Sequence, residues 1–230
     1  MPINACSACG VRDVVICSAL STDELSELAA TATIQTVTPR GSIVIEGDPA
    51  ISLFNVTGGV VKTFKSLPNG RRQITGFLFE GDFLGIALNE SYAFSAEAVD
   101  NVRLCRFPRT KFEVLLDRFP QLERRLLRSA SNELVQAQDQ MMLLGRKTAH
   151  EKVASFLLSL ARRRAAVGTD SNPVFLPMGR EDIADYLGLT TETVSRTFTK
   201  LKTERMIQLL PDHMVQLTDV GALSSIAEES

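Results

Sequence analysis

The sequence predicts an α+β protein in which an N-terminal antiparallel β-roll is followed by a long helix and a C-terminal winged helix-turn-helix. Three observations support this fold class. Glycines separate short strand-like segments between residues 41 and 85, an apolar heptad runs through residues 121–145, and residues 178–206 place two helical segments on either side of a glycine. Many short strands at near-even spacing are typical of antiparallel sandwiches and rolls.

Composition narrows the class of protein. The chain has 230 residues, of which 44% are hydrophobic and 23% charged, as in ordinary globular proteins. It has no apolar run of about 18 residues and no basic, then apolar, leader, so we expect a cytoplasmic protein without a membrane helix. The net charge is −2, but residues 101–150 carry 10 Lys and Arg against 5 Asp and Glu. A nucleic-acid surface would therefore be a local patch.

Three of the four cysteines, which are Cys6, Cys9, Cys17 and Cys105, lie in the first 17 residues. A reducing cytoplasm disfavours structural disulfides. A C-x-x-C pair places two thiols on one turn, which suits zinc or an iron–sulfur cluster, and thiolate number does not separate these. Spare thiols on a frayed terminus are one alternative. A thioredoxin-like redox pair is another, although no strand precedes the motif. Because three thiols cluster and none is left over, we favour one four-thiolate site.

The first elements follow from local patterns. Ser21 and Glu24 form a capping-box pattern at a helix start, and residues 38–41 end that segment. Strands are predicted at residues 42–45, 53–56, 60–64, 73–78, 94–99 and 101–107, with a turn at Pro68-Asn69-Gly70. Alternation along the last strand places Cys105 on the same face as Phe107.

Helices dominate from residue 108 onward. A short helix is predicted at residues 111–116 and a long one from about 121 to 145, followed by an amphipathic helix at residues 149–164. In the long helix two apolar positions repeat every seven residues: Leu127, Leu134 and Met141, and Ala130, Ala137 and Leu144. This heptad predicts a coiled-coil-like seam, with burial against the helix's own domain as the alternative.

Residues 178–206 predict the helix-turn-helix. Arg180 opens the first helix, Gly188 lies where the turn needs a positive φ, and Thr190 caps the second helix. Two strand-like segments around Pro211-Asp212-His213 predict a hairpin, the wing.

The second helix exposes polar groups that suit DNA, namely Thr191, Glu192, Ser195 and Arg196, followed by Lys200 and Lys202. Arg can bridge guanine O6 and N7, and Glu can accept from cytosine N4. A recognition helix reads base edges with its N-terminal residues. A solvated charged face without a binding role is the alternative.

Together these features resemble the CRP/FNR family of bacterial regulators over essentially the whole chain. The most specific motifs are Gly47-Asp48 after Gly41, Gly81-Asp82-Phe83-Leu84-Gly85, and Glu192-Thr193-Val194-Ser195-Arg196. The resemblance implies a jelly-roll sensor domain of the cyclic-nucleotide-binding type. It also implies a homodimer through the long helix, with Leu127, Leu134, Ala137 and Met141 on the seam. Palindromic double-stranded DNA and RNA polymerase are the implied partners.

The cysteines resemble those of the FNR branch, the oxygen-responsive regulators. This resemblance implies that Cys6, Cys9, Cys17 and Cys105 hold a [4Fe–4S] cluster, and that Glu192, Ser195 and Arg196 read a palindrome like TTGAT-N4-ATCAA. Two features depart from the best-known members. The gap before Cys17 is longer and resembles that of alphaproteobacterial FNR-like regulators, and Ala137 replaces a carboxylate that opposes dimerisation.

Other functions are less well supported. A cyclic-nucleotide site would need a Glu after Gly85 and an Arg before Ser95, but Ile86 and Phe94 stand there, so we expect no cyclic nucleotide. A zinc-stabilised or thiol-redox regulator on the same fold is the alternative. We expect no enzyme, because the chain has neither a P-loop nor a nucleophile elbow.

The predicted organisation has four parts. They are a cysteine-rich cluster-binding segment at residues 1–20, a β-roll sensor domain at 21–117, a dimerisation helix at 118–148, and a winged-helix DNA-binding domain at 149–230.

Overall fold

The computed structural model describes Cys6 and residues 9–85, 90–166 and 170–228. The chain divides into two compact units, Met1–Val135 and Gln136–Ser230, and the division falls within one long helix. The helices are α1 (Thr22–Thr31), α2 (Arg109–Arg118), α3 (Pro120–Arg146), α4 (Ala149–Ala166), α5 (Arg180–Leu187), α6 (Thr191–Thr203) and α7 (Val220–Glu228). No helix among the described residues is long and apolar enough to cross a membrane.

The first unit is built on two four-stranded antiparallel sheets. Its strands are β1 (Thr33–Val37), β2 (Ser42–Val44), β3 (Ser52–Gly58), β4 (Val61–Ser66), β5 (Arg72–Leu78), β6 (Phe83–Leu84), β7 (Ser95–Ala98) and β8 (Val102–Pro108). One sheet has the order β1-β8-β3-β6 and the other β2-β7-β4-β5. The antiparallel roll predicted from the glycine-separated segments is confirmed.

The first sheet packs against apolar cores on both faces. One face packs against the second sheet in an inner core that includes Phe54, Val56 and Leu104. The other face packs against α1, α2 and the N-terminal segment in an outer core that includes Leu53, Cys105 and Phe107. Neighbouring residues of β3 and β8 therefore point into different cores, as strand geometry requires. Cys105 shares the outer face with Phe107, as predicted.

The segment after α1 differs from its prediction. Ser21 does cap α1 in a complete capping box, with the Glu24 N–H donating to Ser21 Oγ at 3.4 Å and the Ser21 N–H donating to Glu24 Oε2 at 2.8 Å. The segment does not continue as one element to residues 38–41, because α1 ends at Thr31 and β1 begins at Thr33. Four of the five residues of β1 are β-branched, which favours the strand.

The second unit contains the helix-turn-helix and its wing. The residues of α4 predicted to face inward are all buried: Val153, Phe156, Leu157 and Leu160. Gly188 joins α5 to α6 with φ 61° and ψ 42°, as the predicted turn requires. The wing pairs β10 (Ile207–Leu209) with β11 (Met214–Leu217), and β11 also pairs with β9 (Val174–Phe175), a third strand missing from the prediction.

Candidate thiol centre and nucleic-acid interface

The four cysteines come from three parts of the first unit. Cys105 lies on β8 and is buried, whereas Cys17 lies in a short 3-10 turn, Ile16–Ala19. Cys6 and Cys17 pack against the outer core that contains Cys105. The Cys9 N–H donates to the Cys6 carbonyl at 3.3 Å, so a backbone hydrogen bond links the two cysteines of the C-x-x-C pair. All four are free thiols.

Apolar contacts hold this N-terminal segment on the sheet. Val15 and Ile16, which precede Cys17, are each only 2% exposed. At the start of the predicted Gly81–Gly85 motif, Gly81 has φ +100°, and a Cβ there would lie 3.0 Å from Val14 Cγ2. The segment therefore needs the absence of a side chain at Gly81 to approach this closely.

The thiols lie within electrostatic reach of one another. Burial, followed by repulsion from Cys17, Cys6 and Cys9, raises the pKa of Cys105 to about 12. Burial, followed by repulsion from Cys6 and Cys9, raises the pKa of Cys17 to about 12. Burial and the neighbouring Cys9 also raise the pKa of Cys6. Four thiolates could share this site only if a cation neutralised them.

The donor set fits a thiolate-bound metal centre. Four sulfurs match the ligand number of zinc and of a [4Fe–4S] cluster, and the buried side chains around them would exclude water. In the described part of the chain, however, no group of three or more His, Cys, Asp or Glu side chains has metal-binding geometry. The predicted ligand cysteines therefore lie near one another, but their sulfurs are not arranged to bind one common metal ion.

Asn55 is a polar residue of this site that the sequence analysis missed. It lies on β3 directly opposite Cys105, and its Nδ2 donates a hydrogen bond to Cys17 Sγ at 3.5 Å. The available signal was a single amide inside the apolar strand Ser52–Gly58.

In the second unit, α6 presents the predicted DNA-binding residues to solvent. Its buried side is formed by Val194, Thr197, Phe198 and Leu201. Outside this buried side, Thr191, Glu192, Ser195, Arg196, Lys200 and Lys202 are all exposed. The structure therefore brings these six residues together on one helix.

Two contacts fix the position of α6. The Thr193 N–H donates to the Thr190 hydroxyl at 3.1 Å, which caps the first turn as predicted. The Arg180 guanidinium lies 3.4 Å from the centre of the Phe198 ring, a cation–π contact between α5 and α6. Burial lowers the pKa of Arg180.

Charges along α6 divide into paired and unpaired groups. Arg196 Nη1 lies 3.5 Å from Glu192 Oε1, and Lys200 Nζ lies 3.8 Å from Glu204 Oε1. Lys202 makes no ion pair with any residue that the structure describes. These cations on an exposed helix face can contact base edges and phosphates.

The predicted seam residues lie on the exposed surface of α3. Leu127, Leu134 and Met141 are 71%, 60% and 70% exposed, and Ala137 is exposed as well. Leu122, near its start, is the buried residue of α3. Burial against its own domain, the alternative explanation of the heptad, does not hold for the three long side chains.

Of the two residues that argue against a cyclic-nucleotide site, the structure describes only Phe94. Phe94 packs partly buried against the inner core. Ile86 lies outside the described residues. The absence of a bound cyclic nucleotide stays a prediction.

A β-roll joined by a long helix to a winged helix-turn-helix with an exposed, basic recognition helix defines a DNA-binding transcriptional regulator. The family model described as a cyclic nucleotide-binding domain matches residues 34–119, and the one described as a Crp-like helix-turn-helix domain matches residues 151–226. The chain belongs to the CRP/FNR family.

Relatives support this family over nearly the full chain. The nitrogen fixation regulation protein FixK of Bradyrhizobium diazoefficiens is 45% identical over 222 residues, which cover 96% of this chain and 93% of the relative. The transcriptional activator protein FnrL of Cereibacter sphaeroides is 35% identical, covering 96% and 91%. The solved structure of FixK2 from Bradyrhizobium japonicum is 36% identical with a TM-score of 0.79, covering 85% and 96%. The prediction of a regulator rather than an enzyme is confirmed.

Proposed function

We propose that this regulator responds to oxygen through a [4Fe–4S] cluster and binds, as a homodimer, a palindromic site like TTGAT-N4-ATCAA. Cys6, Cys9, Cys17 and Cys105 would hold the cluster. The observation that carries this proposal is the meeting of three N-terminal thiols with Cys105 on the outer face of the first sheet. The proposed parts of the chain are those predicted from the sequence: residues 1–20, 21–117, 118–148 and 149–230.

When bound, such a cluster would supply sensitivity to oxygen, and Cys6, Cys9, Cys17 and Cys105 would be tied together only while it is present. The chain's own residues would link loss of the cluster to α3. Arg125, on α3, donates through Nη2 to the Val14 carbonyl at 3.1 Å. Gln121, also on α3, donates to Glu24 Oε1 at 2.7 Å. Release of the cysteine segment would break the Arg125 contact at the start of the helix that carries the seam.

Dimerisation through α3 is supported by its exposed apolar residues. Leu127, Leu134 and Met141 would pair with the same residues of a second copy around a twofold axis, with Ala137 between them. An uncharged Ala137 adds no repulsion at the seam. We therefore expect some dimer even without the cluster.

The exposed face of α6 supports sequence-specific binding. Arg196 would bridge the guanine of each half-site, and Glu192 would accept from the cytosine paired with it or beside it. Ser195 and Thr191 would contact a neighbouring base or phosphate, and Lys200 and Lys202 the phosphate backbone. A twofold dimer requires half-sites about one helical turn apart. RNA polymerase is the partner that the family implies.

The test is metal and sulfide analysis of protein purified without oxygen, together with its visible absorption and Mössbauer spectra. We expect four iron and four sulfide per chain, as the cluster formula requires. A Cys105→Ser variant should lose both. Full iron and sulfide in that variant would show that the four-ligand assignment is wrong.

A second candidate is a zinc-stabilised or thiol-redox regulator. The zinc form is supported by the four-thiol donor set. The thiol-redox form is supported by the proximity of thiols that lack metal-binding geometry among the described residues. The same analysis separates the candidates. Zinc without sulfide would support a structural metal, and the absence of metal with reversible disulfide formation would support a thiol switch.

A further inference from the structure

Asn55 occupies an unusual place in the outer core. On β3 it lies directly opposite Cys105 on one side and Phe83 on the other, so its side chain shares their face of the sheet. It is 1% exposed. Its Nδ2 reaches Cys17 Sγ at 3.5 Å, so one amide bridges the strand pair that carries Cys105 and the turn that carries Cys17.

The Asn55 side chain lowers the stability of the fold, because one of its polar atoms has no hydrogen-bond partner among the described residues. Asn55 Oδ1 is buried and accepts no hydrogen bond from the residues that the structure describes. A buried acceptor without a donor destabilises the folded state. The surrounding side chains, including Leu53 and Phe83, are apolar, so a leucine, which has the same branching and the same number of side-chain heavy atoms, would leave no polar atom without a partner.

The hydrogen bond gains strength only when Cys17 is a thiolate. An N–H group bonded to a neutral thiol contributes little, because sulfur of a thiol is a weak acceptor. A bond to an ionised acceptor is roughly twice as strong as a neutral one. Cys17 would be a thiolate as a metal ligand, and outer hydrogen bonds of this kind hold and tune such ligands.

We propose that Asn55 is a positioning residue of the cluster site, which fixes Cys17 by donating its amide N–H to the ligand sulfur. This inference rests on the proposed function. It predicts that Asn55 lowers the stability of the metal-free protein and stabilises the cluster in the loaded protein. Removing the amide should therefore leave the metal-free protein equally or more stable and make the loaded protein lose its cluster faster.

The experiment compares the full-length wild type with Asn55→Leu, Asn55→Asp and Thr57→Val, each purified and reconstituted without oxygen. Leucine removes the N–H while keeping the branching and the number of side-chain heavy atoms, and aspartate replaces the N–H with an oxygen that repels the thiolate. Thr57→Val is the matched control. It removes another side-chain hydrogen bond of β3, the part-buried one from Thr57 Oγ1 to the Arg103 carbonyl at 3.0 Å, which involves no cysteine.

The readouts are iron and sulfide per chain, the rate of cluster loss to an iron chelator without oxygen, and the thermal midpoint of the metal-free protein. We expect Asn55→Leu to lose its cluster about tenfold faster or more. Asn55→Asp should lose it faster still, and Thr57→Val should match the wild type. The midpoint of metal-free Asn55→Leu should equal or exceed that of the wild type.

Each contrary result has a defined meaning. Equal cluster loss in Asn55→Leu and wild type would overturn the positioning role while leaving the proposed function intact. A lower midpoint in metal-free Asn55→Leu would also overturn it, because the residue would then support the fold itself. A wild type that takes up no iron and sulfide would overturn the proposed function, and this inference with it.

Discussion

Glu192 and Arg196 form an ion pair across one turn of α6, in which Arg196 Nη1 lies 3.5 Å from Glu192 Oε1. Both side chains are more than two-thirds exposed. An exposed pair of this kind contributes little to stability. The pair places the Arg196 guanidinium, with its N–H donors, beside the Glu192 carboxylate on the N-terminal half of the helix. Such groups match the O6 and N7 acceptors of guanine and the N4 donor of cytosine.

Arg196→Ala should weaken binding to the palindrome by about 1–3 kcal/mol and relax the preference for guanine. The reason is the loss of a bidentate contact to one base. The measurement is a titration against the palindrome and against a version with the guanine replaced, using protein purified without oxygen. Equal binding of both sequences by the wild type would contradict the recognition assignment.

Lys202→Ala should weaken binding to all sequences alike. Lys202 is exposed and makes no ion pair among the described residues, so it is available to a phosphate. Each lost phosphate contact flattens the dependence of log K on log salt by about one unit. The check is the salt series for the palindrome and the altered site. A change in guanine preference would instead place Lys202 at a base edge.

Local patterns predicted most of the fold. The capping box at Ser21, the glycine turn at Gly188 and the inward residues of α4 depend on neighbours in sequence, and all are found. The missed strand β1 is an edge strand, whose pairing with β8 depends on residues about 70 positions away. Its register sets Ile34 opposite Cys105, which no local pattern could indicate.

The candidate site also contains residues that local sequence patterns predict and residues that depend on distant parts of the chain. The face of α6 follows from helical periodicity, so Glu192, Ser195 and Arg196 could be named from the sequence. The place of Asn55 beside Cys17 depends on a strand pairing and a turn that are far apart in sequence. The turn of the wing, where Asp212 and His213 both have positive φ, was predicted as a turn but not in this conformation.

Gly188→Ala should destabilise the second unit by about 1–2 kcal/mol, because the residue has φ 61° and an added Cβ would lie 3.2 Å from Leu144 Cδ2. Gly145→Ala is the matched control. It lies in α3 with nothing within 4 Å of an added Cβ, and alanine there should stabilise by about 0.5–1 kcal/mol. Denaturant unfolding measures both. Stabilisation by both substitutions would argue against the left-handed turn.

Leu134→Glu should convert the dimer into a monomer. Leu134 is 60% exposed on a single chain but would be buried at the proposed seam, where an unpaired carboxylate is costly. Light scattering gives the mass. Gln136→Glu, an exposed substitution outside the heptad positions, should leave the dimer intact.

A dimer that survives Leu134→Glu would place the interface elsewhere. Because Ala137 adds no charge to the seam, metal-free wild type should also contain some dimer at micromolar concentration. A strictly monomeric metal-free protein would contradict that expectation.

The metal-free protein should lose stability as the pH rises above about 8. Burial and repulsion raise the pKa of Cys17 and Cys105 in the folded state to about 12, whereas thiols in the unfolded chain ionise near their ordinary value of about 8.5. Between these values the unfolded chain has lost protons that the folded chain keeps, so unfolding is favoured as pH increases. The free energy of unfolding should be flat from pH 7 to about 8 and then fall. A Cys17→Ala, Cys105→Ala double variant should remove most of the slope, and an equally steep fall in that variant would show that other groups cause it.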